Sequence, residues 1–163
     1  MNAPDLSVYH AVHAGLRKAA HQLAATAGGL DTTEPRQLKA FRSYWKGYEG
    51  EVLTHHTVED DFFFVALADR VPVARDYMAR IGAEHHDLDE LMSESNLAIG
   101  RVAAGADGAA AAAELVLQEL APHMDAHLDF EDAEILPLFE RHFTAEEYSE
   151  LDQRAMKSLG SAR

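Results

Sequence analysis

The sequence predicts an all-α fold, an up-down-up-down four-helix bundle with a short additional C-terminal helix, and three observations lead there. Apolar residues recur at alternating three- and four-residue steps and do not alternate as they would in half-buried strands. Proline and glycine fall at few points and cut the chain into four long segments and one short one. The 163 residues, 47% hydrophobic and 26% charged, suit one domain with a single core.

The first helix is expected from about Asp5 to Thr26, ending at Gly28-Gly29, with the apolar stripe Leu6, Tyr9, His13, Leu16, Ala20 and Leu23. The second opens at Thr33-Glu34-Pro35, where proline suits the first turn, and runs to about Asp69. Its stripe passes through Phe41, Trp45, Tyr48, Val52, His55 and Glu59 to Phe62 and Ala66. Pro72 starts the third, which reaches about Ala104 with Ile81, His85, Leu88, Met92, Ile99 and Val102 inward. After the Gly105-Ala106-Asp107-Gly108 turn, alanines 109 to 113 favour the start of a fourth helix that ends between Pro137 and Arg141. Its stripe is Leu117, Leu120, Met124, His127, Glu131, Glu134 and Leu138. Thr144 and Glu147 have capping-box spacing and open a short fifth helix to about Leu159. Residues 1–143 are therefore expected to form the bundle, and 144–163 a C-terminal helix and tail.

Composition removes several function classes. Fourteen Lys plus Arg against 28 Asp plus Glu give a formal charge of -14, a field that repels nucleic acid and anionic membrane. The absence of cysteine excludes disulfides, thiolate zinc sites, iron–sulfur clusters and thiol nucleophiles, so metal chemistry must use histidine and carboxylate. The N-terminus MNAPDLSVYH has neither a basic start nor an apolar core, and the run Phe62 to Ala68 falls short of the ~18 residues of a membrane span. A cytoplasmic location is the expectation. No Ser-His-Asp set or phosphate loop is evident, which disfavours hydrolase and kinase chemistry.

The ten histidines carry the functional signal. His13 to His55 and His85 to His127 are both 42 residues apart, and His13 to His85 and His55 to His127 are both 72. Local contexts repeat as well: HAGL at 13–16 against HHDL at 85–88, and HHTVED at 55–60 against HLDFED at 127–132. The chain reads as two copies of a helical hairpin, each HxxL followed by HxxxED. The midpoints of successive histidines fall at 34, 70 and 106, at the three expected turns, so all four lie at one level of the bundle. Four-residue spacing stacks Glu59 and Glu131 one turn from His55 and His127. His56 matches Leu128 and His86 matches Ala14, so neither has a histidine partner in the repeat, and both read as flanking or solvent-facing. His123, one turn before His127, and Asp89, one turn beyond His85, are additional ligand candidates. His10, His21 and His142 read as surface residues.

Burying unpaired carboxylates costs several kcal/mol each, so stability alone would favour leucine at these positions and a purely structural bundle is disfavoured. A pair of cations neutralises both carboxylates and gives every imidazole a partner. Six donors exceed one tetrahedral zinc, and a thiol-free histidine and carboxylate set suits iron or manganese. Two six-coordinate metals offer about twelve positions; four imidazoles, two bridging carboxylates and one bridging oxide or hydroxide fill about ten, leaving about two.

The order His13, His55 with Glu59, His85, His127 with Glu131, then Ile135-Leu136-Pro137, resembles the hemerythrin-like, or HHE cation-binding, domain over about residues 6 to 140. The resemblance implies a four-helix bundle holding two iron ions with a bridging oxide or hydroxide. His13, His55, His85 and His127 would be terminal ligands and Glu59 and Glu131 bridges. Two departures from the oxygen-carrying hemerythrins, Asp89 in place of a second histidine on the third helix and HxxxE in place of a more widely spaced aspartate on the fourth, argue against a full five-histidine site. The expected function is binding of, or reaction with, dioxygen, hydrogen peroxide or nitric oxide, including weak catalase or peroxidase chemistry. The alternative is an oxygen or iron sensor, or an oxygen store without turnover. The C-terminal helix lies outside the resemblance and is a possible surface for a homo-oligomer or protein partner.

Overall fold

A computed structural model describes residues 2–161, so the last two residues of the expected tail lie outside the described residues. Among the described residues every regular element is helical: α1 (Ser7–Gly28), α2 (Pro35–Val58), α3 (Phe64–Arg70), α4 (Pro72–Ala103), α5 (Ala109–Phe130), α6 (Leu136–His142) and α7 (Ala145–Ser161). α1 packs on α5 and α2, and α4 packs on α5 and α2, which closes a ring of four long helices. None of these helices is long and apolar enough to cross a membrane. Pro35 and Pro72 occupy first-turn positions, where a missing N–H costs nothing, and Gly105 and Gly108 take φ of 70° and 69° in the α4–α5 turn.

The second and fourth predicted helices are not uniform. Each is interrupted by a π-helical turn, Glu59–Phe63 and Glu131–Ile135, and the two turns begin at repeat-equivalent glutamates. The widened turn inserts one residue into the helical count, so the inward stripe shifts by one beyond each glutamate. Phe63, Phe64 and Leu67 are buried where Phe62 and Ala66 were expected, and those two are only partly buried. On the other arm Ile135, Leu136 and Phe139 are buried and Glu134, expected on the stripe, is exposed and accepts a hydrogen bond from Tyr77. A straight 3.6-residue period cannot anticipate this slip.

The core is split into two apolar clusters on either side of the histidine level. One is built from Leu16, Leu23, Trp45, Tyr48, Leu88, Leu117, Leu120 and Met124. The other gathers Phe63, Phe64, Leu67, Ile81, Ile135 and Phe139 with Leu151 and Ala155 of α7. α7 therefore spends its inner apolar face on the bundle. Thr144 and Glu147 form the expected capping box, with Glu147 N–H donating to the Thr144 hydroxyl and Thr144 N–H to the Glu147 carboxylate. Arg70 anchors this start: its guanidinium donates to both Glu147 oxygens at 2.8 and 2.9 Å and to the His142 carbonyl, and it lies 4.0 Å over the Phe143 ring.

The Arg70 hydrogen bonds, then the Thr144 N–H, hold the Glu147 carboxyl down to about 2, below its ordinary 4.5. A depressed carboxylate contributes stability fully above its unfolded value and loses it as pH falls toward its folded one. The variant Glu147→Gln is thus expected to be less stable than the wild type at pH 6 in urea unfolding, with a gap that narrows as pH falls below 4.5. A gap independent of pH contradicts this role.

Candidate metal centre

α1, α2, α4 and α5 each bring one repeat histidine to the same level, and the two π-turns start at the glutamates that face them. His13, His55, His85 and His127 are buried, and Glu59 and Glu131 are 0% exposed. His55 Nε2 lies 3.1 Å from Glu59, and His127 Nε2 lies 3.5 Å from Glu131, across one helical turn. Between helices, His13 Nε2 is 3.4 Å from Glu131 and His85 Nε2 is 3.6 Å from Glu59. The donor atoms of His13, His55, Glu59 and Glu131 lie within 4.8 Å of one another, as do those of Glu59, His85, His127 and Glu131. Both glutamates belong to both groups.

A ring of carboxylates orients the imidazoles from behind. His13 Nδ1 is 2.7 Å from Asp132, His85 Nδ1 is 3.1 Å from Asp60, and His127 Nδ1 is 3.1 Å from Glu84. Each Nδ1–H donates outward, which leaves Nε2 as the inward lone pair, the tautomer a metal needs. The first two pairs are the same contact seen twice, because adding 72 to 13 and 60 gives 85 and 132. Each HxxL histidine is held by the final aspartate of the other repeat's HxxxED. Arg17 in turn donates to Asp132 at 2.7 Å.

The inward atoms have no hydrogen-bond partner. Nε2 of His13, His55, His85 and His127 is buried and unsatisfied, as are Glu59 Oε2 and both Glu131 oxygens. Native interiors rarely leave such atoms orphaned, and a cluster of them aimed at one point is a donor set that could hold a cation. The remaining Glu59 oxygen accepts a hydrogen bond from the Tyr9 hydroxyl.

Electrostatics agree with that reading. Burial first, then the His55 imidazole, pushes His13 down to about 4, against the opposing pull of Asp132. Burial, then neighbouring imidazoles, takes His127 down to about 2. Burial also raises both glutamates well above 4.5, followed by the Glu131 charge for Glu59 and the Asp132 charge for Glu131. Burial therefore favours the neutral form of His13 and His127 and the protonated form of Glu59 and Glu131, and a cation bound between them would displace the carboxyl protons.

The structure changes the standing of three other residues. His56, read as flanking or solvent-facing, is only 5% exposed, and its ring stacks on His85 at 3.9 Å. Its buried Nε2 is unsatisfied, and His56, His85 and His127 form a third group of donors within 4.8 Å. α2 is flanked by two neighbours in the ring, so positions one residue apart can both be enclosed. The sequence held a signal for this: the repeat partner Leu128 is apolar and 0% exposed, which marks a core position. His123 is exposed, with its Nδ1–H donating to the Glu119 carbonyl, and Asp89 is exposed; neither joins a donor group among the described residues. His86 lies on the surface, 73% exposed, as do His10, His21 and His142.

A family model described as Hemerythrin HHE cation binding domain matches residues 5–139. No curated protein and no solved structure gives a match.

Removing an orienting carboxylate should loosen the cluster's hold on a cation by about 10- to 100-fold. Asp132→Asn and Asp60→Asn are expected to show that loss in competition with a chromophoric chelator, while Asp89→Asn keeps the wild-type affinity. Equal affinities in all three variants contradict the orienting role.

Proposed function

The chain belongs to the hemerythrin HHE cation-binding family, and from that premise we propose that it carries a non-haem di-iron centre that reacts with dioxygen, hydrogen peroxide or nitric oxide. The observation that carries the two-metal reading is the pair of donor groups that share Glu59 and Glu131. In this reading residues 1–143 form an up-down-up-down bundle around the centre, and 144–163 are an appended helix and tail. His13 and His55 would hold one metal and His85 and His127 the other, with Glu59 and Glu131 shared between the two donor groups. The thiol-free donor set of imidazoles and carboxylates favours iron over zinc. When bound, the iron pair supplies Lewis acidity and redox capacity toward small oxidants.

The chain's own residues then define how such a centre is served. Asp132, Asp60 and Glu84 keep the Nε2 lone pairs inward. Tyr9 donates to Glu59 and so takes up part of the negative charge of one bridge. The apolar clusters above and below exclude water from the histidine level. His56 supplies a fifth imidazole beside His85 and His127, which makes the two ends of the centre unequal. Were His56 to ligate as well, five imidazoles, two bridging carboxylates and one bridging oxide would fill about eleven of about twelve positions, leaving about one. Tyr9 lies beside the His13 and His55 rings, at 4.9 and 5.8 Å, where no fifth imidazole stands.

His56 also favours a second reading, reversible dioxygen uptake for storage or sensing, because a nearly saturated centre has less room for peroxide turnover. Two measurements separate the possibilities. Metal analysis is expected to find two irons per chain with an oxo-bridge absorption band; His56→Ala and His85→Ala should alter the band, and His86→Ala should not. One zinc per chain, or a His56→Ala spectrum identical to wild type, contradicts the assignment. Peroxide consumption is expected for the wild type and is expected to disappear in Glu131→Ala. Wild type that consumes no peroxide yet takes up dioxygen reversibly overturns the turnover reading in favour of storage or sensing.

A further inference from the structure

Beside the Tyr9 end of the histidine cluster lies an open cavity of about 550 Å³, lined by α1, the end of α2 and α7. Its body is apolar, with Val12, Val58, Phe63 and Met156 among the walls. Tyr9 and His55 form its inner end, so a single layer of side chains separates it from the buried glutamates. α7 contributes Tyr148, Ser149, Asp152 and Met156 to the outer wall, and α7 lies outside the residues that the family model matches. This part of the chain therefore adds a wall that lies outside the matched cation-binding domain.

The charge of the lining selects the class of molecule. Asp5, Glu51 and Asp152 border the cavity, and among the described residues no lysine or arginine lines it. The whole chain carries a formal charge of -14, which reinforces the same sign. An apolar anion such as a fatty acid would meet three carboxylates with no counter-charge. A molecule with an apolar body and a cationic head would bury its body against the valines, Phe63 and Met156 and keep its head among the carboxylates. We propose that this cavity is a binding site for an apolar organic cation, held within one side chain's thickness of the metal cluster. It goes beyond the di-iron reading, because apart from His55 at the inner end neither the walls nor the carboxylates at the mouth belong to a donor group.

The test is calorimetric titration of the metal-loaded full chain with three probes of equal chain length: octyltrimethylammonium, octanol and octanesulfonate. The quaternary ammonium has no lone pair to offer a metal, so its heat reports the cavity alone. Octyltrimethylammonium is expected to bind tightest and octanesulfonate weakest. Met156→Trp, at a half-exposed position that tolerates a larger side chain, should fill the cavity and weaken the cation by about tenfold or more. Glu51→Gln with Asp152→Asn should weaken the cation by about two- to fivefold and leave octanol unchanged. Binding of the sulfonate as tight as that of the cation overturns the proposal, as does no detectable cation binding or cation binding unaffected by Met156→Trp. Metal content measured on the same samples keeps the two readings apart: the cavity can fail with the metals in place, and the metals can fail with the cation still bound.

Discussion

The enclosure of Glu59 and Glu131 is the constraint on which the rest of the structure depends. Both are fully buried, side by side, at the level where the apolar core divides in two. Two carboxyl groups in that setting cost several kcal/mol each unless charge is supplied to them. The surrounding donors fit that need: five buried imidazoles leave Nε2 without a hydrogen-bond partner, and carboxylates at the rim hold three of them from behind. The π-turns belong to the same constraint, since each begins at one of the glutamates and resets the helix so that apolar residues close over it.

The cluster inherits a two-fold pattern from the sequence repeat and then breaks it. His13 with Asp132 and His85 with Asp60 are equivalent contacts, and so are His55 with Glu59 and His127 with Glu131. Tyr9, however, corresponds to Ile81, and His56 corresponds to Leu128. Beside His13 and His55 a phenol is thus added on Glu59, and beside His85 and His127 a fifth imidazole. α7 adds to the imbalance by packing over one side only, where Arg70 fixes its first turn and Tyr148 and Met156 wall the cavity. A cluster laid out on a repeat thus has one end with an extra imidazole and one end that faces the cavity.

Much of this was legible in the sequence because the repeat doubles every signal. Four histidines at separations of 42 and 72, with turns at their midpoints, place one side chain from each long helix at the same level, and the structure gathers those side chains there. What the period could not carry was the local change of helix type. The slip from Phe62 to Phe63, and the ejection of Glu134, follow from one extra residue per π-turn, which leaves no mark in residue identity. His56 was misjudged for a different reason: its lack of a histidine partner counted against it, although the apolar Leu128 in the equivalent place pointed to a core position. Asp60 and Asp132 stood in the repeated motif without a role because their targets lie on other helices, and Glu84 reaches His127 from 43 residues away.

The central claim is a coupled pair of irons in unequal surroundings, and the Mössbauer spectrum of protein loaded with iron-57 tests it most directly. The account predicts two quadrupole doublets of equal area, with no magnetic splitting at low temperature in a weak field, as two oxo-bridged ferric ions with different ligand sets require. A magnetically split spectrum of isolated high-spin iron, or one doublet from a single kind of site, contradicts it.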